Sequence, residues 1–240
     1  MMAHTAPPAV PVAISRAAEA AHVDLSFLFF EADRESAFNP QARARASSAA
    51  GLFQFVDQTW LAELKRHGAR FGYARYAELI RQGSDGRYFV PGPEARAAVM
   101  ALRNDPRAAS LMAAEMAADH ARWLKARMGR SPSAGELYAA HFLGPMGAAD
   151  LLEWASETPG LEAAALFPEA ARANPAIFRR DGRPATLAEV RDELTGERTS
   201  PAEGGAFARY AAARRAEAAL AQRRIYQEVL ARQTRTRPNG

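Results

Sequence analysis

The residues of this chain with the most chemical potential are a carboxylate, an amide, and an imidazole set near a phenol. Glu35 closes an apolar run, FFEADRES (Phe29 to Ser36), and is followed by Phe38 and the Asn39-Pro40 break. Phe29, Phe38, Phe53 and Phe55 could shield its carboxyl from water, and a desolvated carboxyl keeps its proton to higher pH. A protonated carboxyl near neutral pH is what general-acid cleavage of a glycosidic oxygen requires. The competing reading is a solvent-facing glutamate at a helix C-terminus, where the macrodipole disfavours negative charge.

Gln54 lies in GLFQF (Gly51 to Phe55). Its amide can donate to and accept from an acetamido group, or it can tie a loop to a helix. Gly51 marks a close backbone approach or a turn at positive φ. Phe53 offers a ring to a ligand or to the core. Tyr138 and His141, three residues apart, share a helical face as hydrogen-bonding groups, with a satisfied interior histidine as the alternative for His141. Ser36 and Ser48 add hydroxyls beside the carboxylate and in the loop.

Enzymes that hydrolyse glycosides usually set two carboxylates across the bond. Asp33 precedes Glu35 by two positions, a spacing that does not share a helical face. Asp57 reads as a helix N-cap. No convincing second carboxylate is therefore found. The five histidines are scattered without the spacing of a metal site, so no metal is expected. There is no phosphate-cradling glycine loop and no G-x-S-x-G. The absence of cysteine removes disulfides and thiol chemistry, and no cofactor is implied.

These groups must be positioned by helices. Asp24 caps a helix from Leu25 to about Ser36, with Leu25, Leu28, Phe29 and Ala32 at helical spacing. Proline at position 40 forbids its continuation. Residues 41–50 read as a loop. A helix capped by Asp57 or Thr59 runs to His67, and another spans about Tyr73 to Gln82. Tyr88 to Val90 is the one extended piece expected. Asp105-Pro106 opens the longest core helix, reaching about Met128 with Leu111, Met112, Met116, Trp123 and Leu124 as its buried stripe. Ser133 opens Ala134 to Leu143, which stops at Gly144-Pro145, and Ala148 to Ser156 follows. Thr186-x-x-Glu189 is a capping box for a helix to Leu194.

With 240 residues, 48% of them hydrophobic, and almost no Val-Ile-Thr alternation, the chain is expected to be all-α with one core. No apolar run reaches the roughly 20 residues of a membrane helix. The N-terminal stretch lacks the cation and apolar run of a signal peptide. The net charge of +4 is concentrated at the other end, where residues 200–240 hold eight arginines against three glutamates. An arginine-rich helix there, about Phe207 to Arg232, reads as an adaptor for a protein partner or an anionic envelope polymer, or as a solvated face. Nucleic acid is not the favoured partner.

Three blocks, ESAFNPQA (Glu35 to Ala42), SSAAGLFQF (Ser47 to Phe55) and AAHFLGP (Ala139 to Pro145), together resemble the signature of the soluble lytic transglycosylase catalytic domain, strongest over residues 14–155. The resemblance implies a lysozyme-like fold. It also implies cleavage of peptidoglycan between N-acetylmuramic acid and N-acetylglucosamine, with Glu35 as acid and then base and Gln54 as a substrate contact. One glutamate serving twice fits the missing second carboxylate. The third block departs from the family's Ala-Tyr-Asn-x-Gly: His141 stands where a tyrosine would contact the catalytic region. The span from Glu35 to Gln54 is also one residue longer than usual, so Ser47 or Ser48 substitutes for a loop serine.

The expected organisation is a Pro-rich leader at 1–12, a transglycosylase domain at 13–195, and a basic linker and helical tail at 196–240. The expected place of action is the periplasm or cell envelope, reached without a recognisable signal peptide, with an envelope-spanning machine or virion-like particle as the expected partner. The rivals are a hydrolysing muramidase and a non-catalytic wall-binding or assembly module.

Overall fold

A computed structural model describes residues 9–45 and 47–196. Over these residues the chain is all-α, as the scarcity of strand-forming alternation implies. The expected basic helix at 207–232 lies outside the described residues.

The first helix, α1 (Ala9–Ala21), starts earlier than expected. Residues 9–12 belong to it rather than to the expected leader, because Val10 and Ile14 form one apolar stripe and are fully buried. Pro11 fits in the first turn, where a missing N–H costs nothing. The second, α2 (Leu25–Ser36), starts where the Asp24 carboxylate accepts from the Ser26 amide. It ends before the proline is reached. Ala37 and Phe38 both adopt left-handed backbone at φ 50 and φ 60, and their amides close on the Asp33 and Ala32 carbonyls.

A loop with one narrow neck follows. Gly51 N–H donates to the Ala42 carbonyl, and Ala44 N–H to that of Ala49. Helix α3 (Asp57–His67) comes next, and Val56, not Asp57, is its N-cap. The short α4 (Ala74–Leu79) ends before residues 81–82, which were expected to be helical. They instead form strand β1 (Arg81–Gln82), antiparallel to β2 (Tyr88–Phe89), because the Gly83–Gly86 turn folds the chain back on itself.

Helix α5 (Pro93–Ala101) is pinned to α3 by Trp60, which is fully buried and whose indole N–H donates to the Val99 carbonyl at 2.9 Å. Helix α6 (Pro106–Met128), capped by Asp105, is the spine. Residues Ala108 to Ala118 are all buried, and α1, α3 and α7 pack on them. So many alanines let neighbouring backbones approach closely. Trp123 does not join the stripe: it is 39% exposed while Leu124 is fully buried.

Helix α7 (Ala134–Glu157) opens at Ser133 as expected, with a capping box of Ser133 and Glu136 worth about 1 kcal/mol. The expected stop at Gly144-Pro145 is instead a kink, with Gly144 at φ 75 and ψ 159. The short helices α8 (Ala163–Leu166) and α9 (Pro168–Ala173) precede a small hairpin of β3 (Arg179–Arg180) and β4 (Arg183–Pro184). Helix α10 (Leu187–Thr195), capped by Thr186 as expected, packs on α7. Among the described residues no helix is long and apolar enough to cross a membrane.

Candidate active site

Helix α2 presents Glu35 from its last turn, and the first half of α7 brings His141 to it. His141 Nε2 lies 3.5 Å from Glu35 Oε1, and Nδ1 lies 3.0 Å from Glu31 Oε1. Glu31 and Glu35 are one turn apart on α2, which sets their Cβ atoms about 5–6 Å from each other on one face. One imidazole thus bridges two carboxylates of the same helix.

Burial divides the two. The Glu35 side chain is 25% exposed and can meet a ligand, whereas Glu31 is 2% exposed. Desolvation by burial, opposed by the charge of His141 and reinforced by that of Glu35, pushes the Glu31 carboxyl up to about 7. The strongly desolvated carboxyl expected of this helix is therefore Glu31, one turn before Glu35. For His141 burial acts to lower the pKa, but the Glu31 charge and the bond and charge of Glu35 outweigh it and raise the imidazole to about 9. His120, on α6, is pulled down to about 4 by burial and by the charge of His141. It is neutral wherever His141 is charged near pH 7.

Tyr138 stands behind this bridge. It is 3% exposed, its ring stacks on His141 at 6.2 Å between centroids, and Phe30 meets the Tyr138 ring edge-on at 5.5 Å. The Arg34 guanidinium sits 4.5 Å above the phenol ring. Burial, opposed by Arg34 and reinforced by Glu35 and Glu31, pushes its hydroxyl up to about 12. Tyr138 is thus a neutral wall that fixes the plane of the imidazole.

The loop residues do different work. Ser36 Oγ donates to the Leu52 carbonyl at 2.8 Å, with the Ala32 carbonyl at 3.1 Å as its second acceptor, stitching the end of α2 to the loop. Gln54, at φ 45, donates through Nε2 to the Gly51 carbonyl at 2.8 Å and the Ala42 carbonyl at 3.3 Å. Its amide nitrogen closes the neck of the loop. Ser48 Oγ accepts from the Asp57 amide at 3.1 Å, so this hydroxyl caps α3. Of the two readings of Phe53, ligand contact or core, its 2% exposure fits the core, which it fills with Phe29, Phe38 and Phe55.

Arg103, itself 6% exposed, holds the loop from below. Its Nη1 donates to the Ser48 carbonyl at 2.7 Å, the Phe55 carbonyl at 3.0 Å and Asp57 Oδ1 at 2.9 Å. Asp57 Oδ2 also takes Arg96 at 2.6 Å. Asp57 is therefore committed to two arginines and is neither an N-cap nor a free second carboxylate. Gly51 touches the same anchor. A Cβ there would lie 1.9 Å from the Arg103 carbonyl oxygen, and its φ is 83, so glycine is required twice over.

The transglycosylase SLT domain family model matches residues 12–76. Over that segment the chain is similar to transglycosylase SLT domains. The matched segment runs from α1 into α4 and includes Glu31, Glu35, the loop and Gln54, whereas His141 and Tyr138 come from α7 beyond it. The expected all-α, lysozyme-like architecture is borne out, and peptidoglycan is the substrate that an SLT domain implies.

Glu31 escaped the sequence reading. Its signal was the four-residue spacing to Glu35, masked by an apolar run in which a glutamate looks like an interruption.

Proposed function

We propose that this protein is a peptidoglycan lytic transglycosylase that cleaves the β-1,4 bond between N-acetylmuramic acid and N-acetylglucosamine and closes a 1,6-anhydro ring, with Glu35 as its single acid and base. The observation that carries this reading is the bridge from one imidazole to two carboxylates of one helix. Glu31 lies behind Glu35 and is buried, Asp57 is held by Arg96 and Arg103, and Asp33 is exposed on another face. Among the described residues, then, these carboxylates offer no partner across the bond from Glu35, as a hydrolysing pair would need.

In the first step Glu35 gives its proton to the glycosidic oxygen as the bond from that oxygen to C1 of the muramoyl sugar breaks. The carboxylate left behind is 3.5 Å from the imidazole of His141, whose positive charge stabilises it. In the second step Glu35 takes the proton of the C6 hydroxyl as O6 bonds to C1. No water is consumed and the carboxyl is restored. His141 and Glu31 position Glu35 and set the charge beside it; neither needs to touch the glycan.

Digestion of purified sacculi followed by mass spectrometry tests the reading. Products ending in anhydromuramic acid, one water lighter than reducing ends, are expected. Reducing ends would establish a hydrolysing muramidase, and binding to sacculi without any clearing by the parent protein would establish a non-catalytic wall-binding module. Action belongs in the cell envelope, with residues 200–240 as the adaptor to an envelope machine or particle. Deleting them is expected to spare activity on purified wall and reduce partner capture.

A further inference from the structure

A second cluster of histidine and carboxylates joins α3 to α6. Glu63 and His67 lie one turn apart on α3, and Glu115 and Asp119 one turn apart on α6. His67 Nε2 is 3.1 Å from Asp119 Oδ2 and 3.6 Å from Glu63 Oε2, and one ligand atom from each of the three lies within 4.8 Å of the others. Tetrahedral zinc, with bonds of about 2.0–2.1 Å to nitrogen and oxygen, spaces its ligands roughly 3.3 Å apart. Small side-chain rotations would bring the three atoms to that spacing.

Two further observations point to a ligand. Glu63 is 6% exposed and its Oε2 has no hydrogen-bond partner, although buried carboxylate oxygens are ordinarily satisfied. Arg66 reaches only the other oxygen, Oε1, at 3.3 Å. On the far side of the imidazole, His67 Nδ1 is 3.4 Å from Glu115 Oε2, and Glu115 Oε1 accepts from Arg70 at 2.8 Å. A carboxylate holding one ring nitrogen while the other faces an acidic pocket is the outer support that metal-binding histidines use.

We propose that Glu63, His67 and Asp119 bind a divalent transition metal of the zinc class, with solvent as the fourth ligand and the ion clasping α3 to α6. One imidazole nitrogen with two carboxylate oxygens suits zinc better than magnesium or calcium, which favour all-oxygen sets. The entry edge is guarded by exposed arginines: Asp119 is 21% exposed and pairs with Arg122, and Arg66, which contacts Asp119 at 3.1 Å, is 55% exposed and would be displaced by the ion.

Tag-free full-length protein, dialysed against chelator, is titrated with Zn²⁺ by calorimetry and melted with and without it. One equivalent per chain is expected. A ligand at a hundredfold over its Kd should raise Tm on the order of 5–10 °C for a chain of this size. His67→Gln and Asp119→Asn should each weaken binding tenfold or more. Arg66→Gln, which removes a competing cation, should tighten it. Asp119 sits at the rim, so its variant decides the matter if His67→Gln does not fold. Failure of the folded chain to bind Zn²⁺ overturns the proposal. Unchanged affinity in Asp119→Asn also overturns it, as an adventitious ion held elsewhere.

Discussion

The two histidine clusters use the same parts under opposite electrostatic conditions. In both, carboxylates one helical turn apart, or on facing helices, converge on one imidazole, and one glutamate is almost wholly buried. Around Glu63, His67 and Asp119, arginines crowd the rim: Arg66, Arg70 and Arg122 each pair with a carboxylate. Around Glu31, His141 and Glu35 no arginine pairs with either glutamate among the described residues. Arg34 lies instead over the ring of Tyr138. The carboxylates of α2 therefore have only the imidazole to balance them, which is why His141 holds its proton so firmly. Fixed guanidinium charges offset the carboxylates of the first cluster, whereas those of the second face one titratable imidazole.

Four substitutions would break or sharpen this contrast, the largest effect first. Glu35→Gln is expected to lower kcat by roughly 10²–10⁴, the usual share of a general acid, while leaving Tm nearly unchanged. Measured turnover on sacculi within a few fold of the parent would place the chemistry elsewhere.

His141→Phe should come next, with a loss of about tenfold to a hundredfold in kcat. It leaves Glu31 buried without a partner, which on its own destabilises by about 3–5 kcal/mol. Glu31→Gln keeps the shape and removes the charge. It should lower kcat about tenfold and move the alkaline limb of the pH profile to lower pH, because His141 loses the charge that raises it. A purely structural Glu31 would leave that limb in place.

Stability should follow the same proton. His141 has a folded pKa of about 9 against 6.5 for a free imidazole. Its stabilisation is complete below about pH 6.5 and is lost as pH rises through 9. Glu31 is also raised when folded, so its ionisation lowers stability between about pH 4.5 and 7. Thermal melts from pH 6.5 to 9 should therefore show a falling Tm that flattens in Glu31→Gln. The smallest change belongs to the other cluster. Without metal, Glu63→Met should be neutral or stabilising by about 1 kcal/mol in urea unfolding, with turnover unaffected.

Much of the scaffold was legible. Asp24, Asp105, Ser133 and Thr186 cap helices as their types and spacing implied, and Glu35 falls in the last turn of α2, where its run of apolar residues put it. What was missed depends on distant chain. Asp57 has the composition of a cap, yet Arg103 takes its side chain and Ser48 caps in its place. Glu31 is buried only because α7 delivers His141 to it, and no local pattern in the FFEADRE run announces that pairing. Residues 81–82 have no strand preference of their own; the turn that follows them recruits them.

Arg103 has a consequence for how the loop can change over evolution. A single guanidinium fixes the carbonyls of Ser48 and Phe55, and its own backbone abuts Gly51. Residues 48–55 are thus a segment of fixed length. The neck from Ala42 to Gly51 and the rung from Ala44 to Ala49 hold the two arms of the loop in register. Insertions and deletions among descendants of this sequence should therefore be rare within those two arms, whose lengths stay constant.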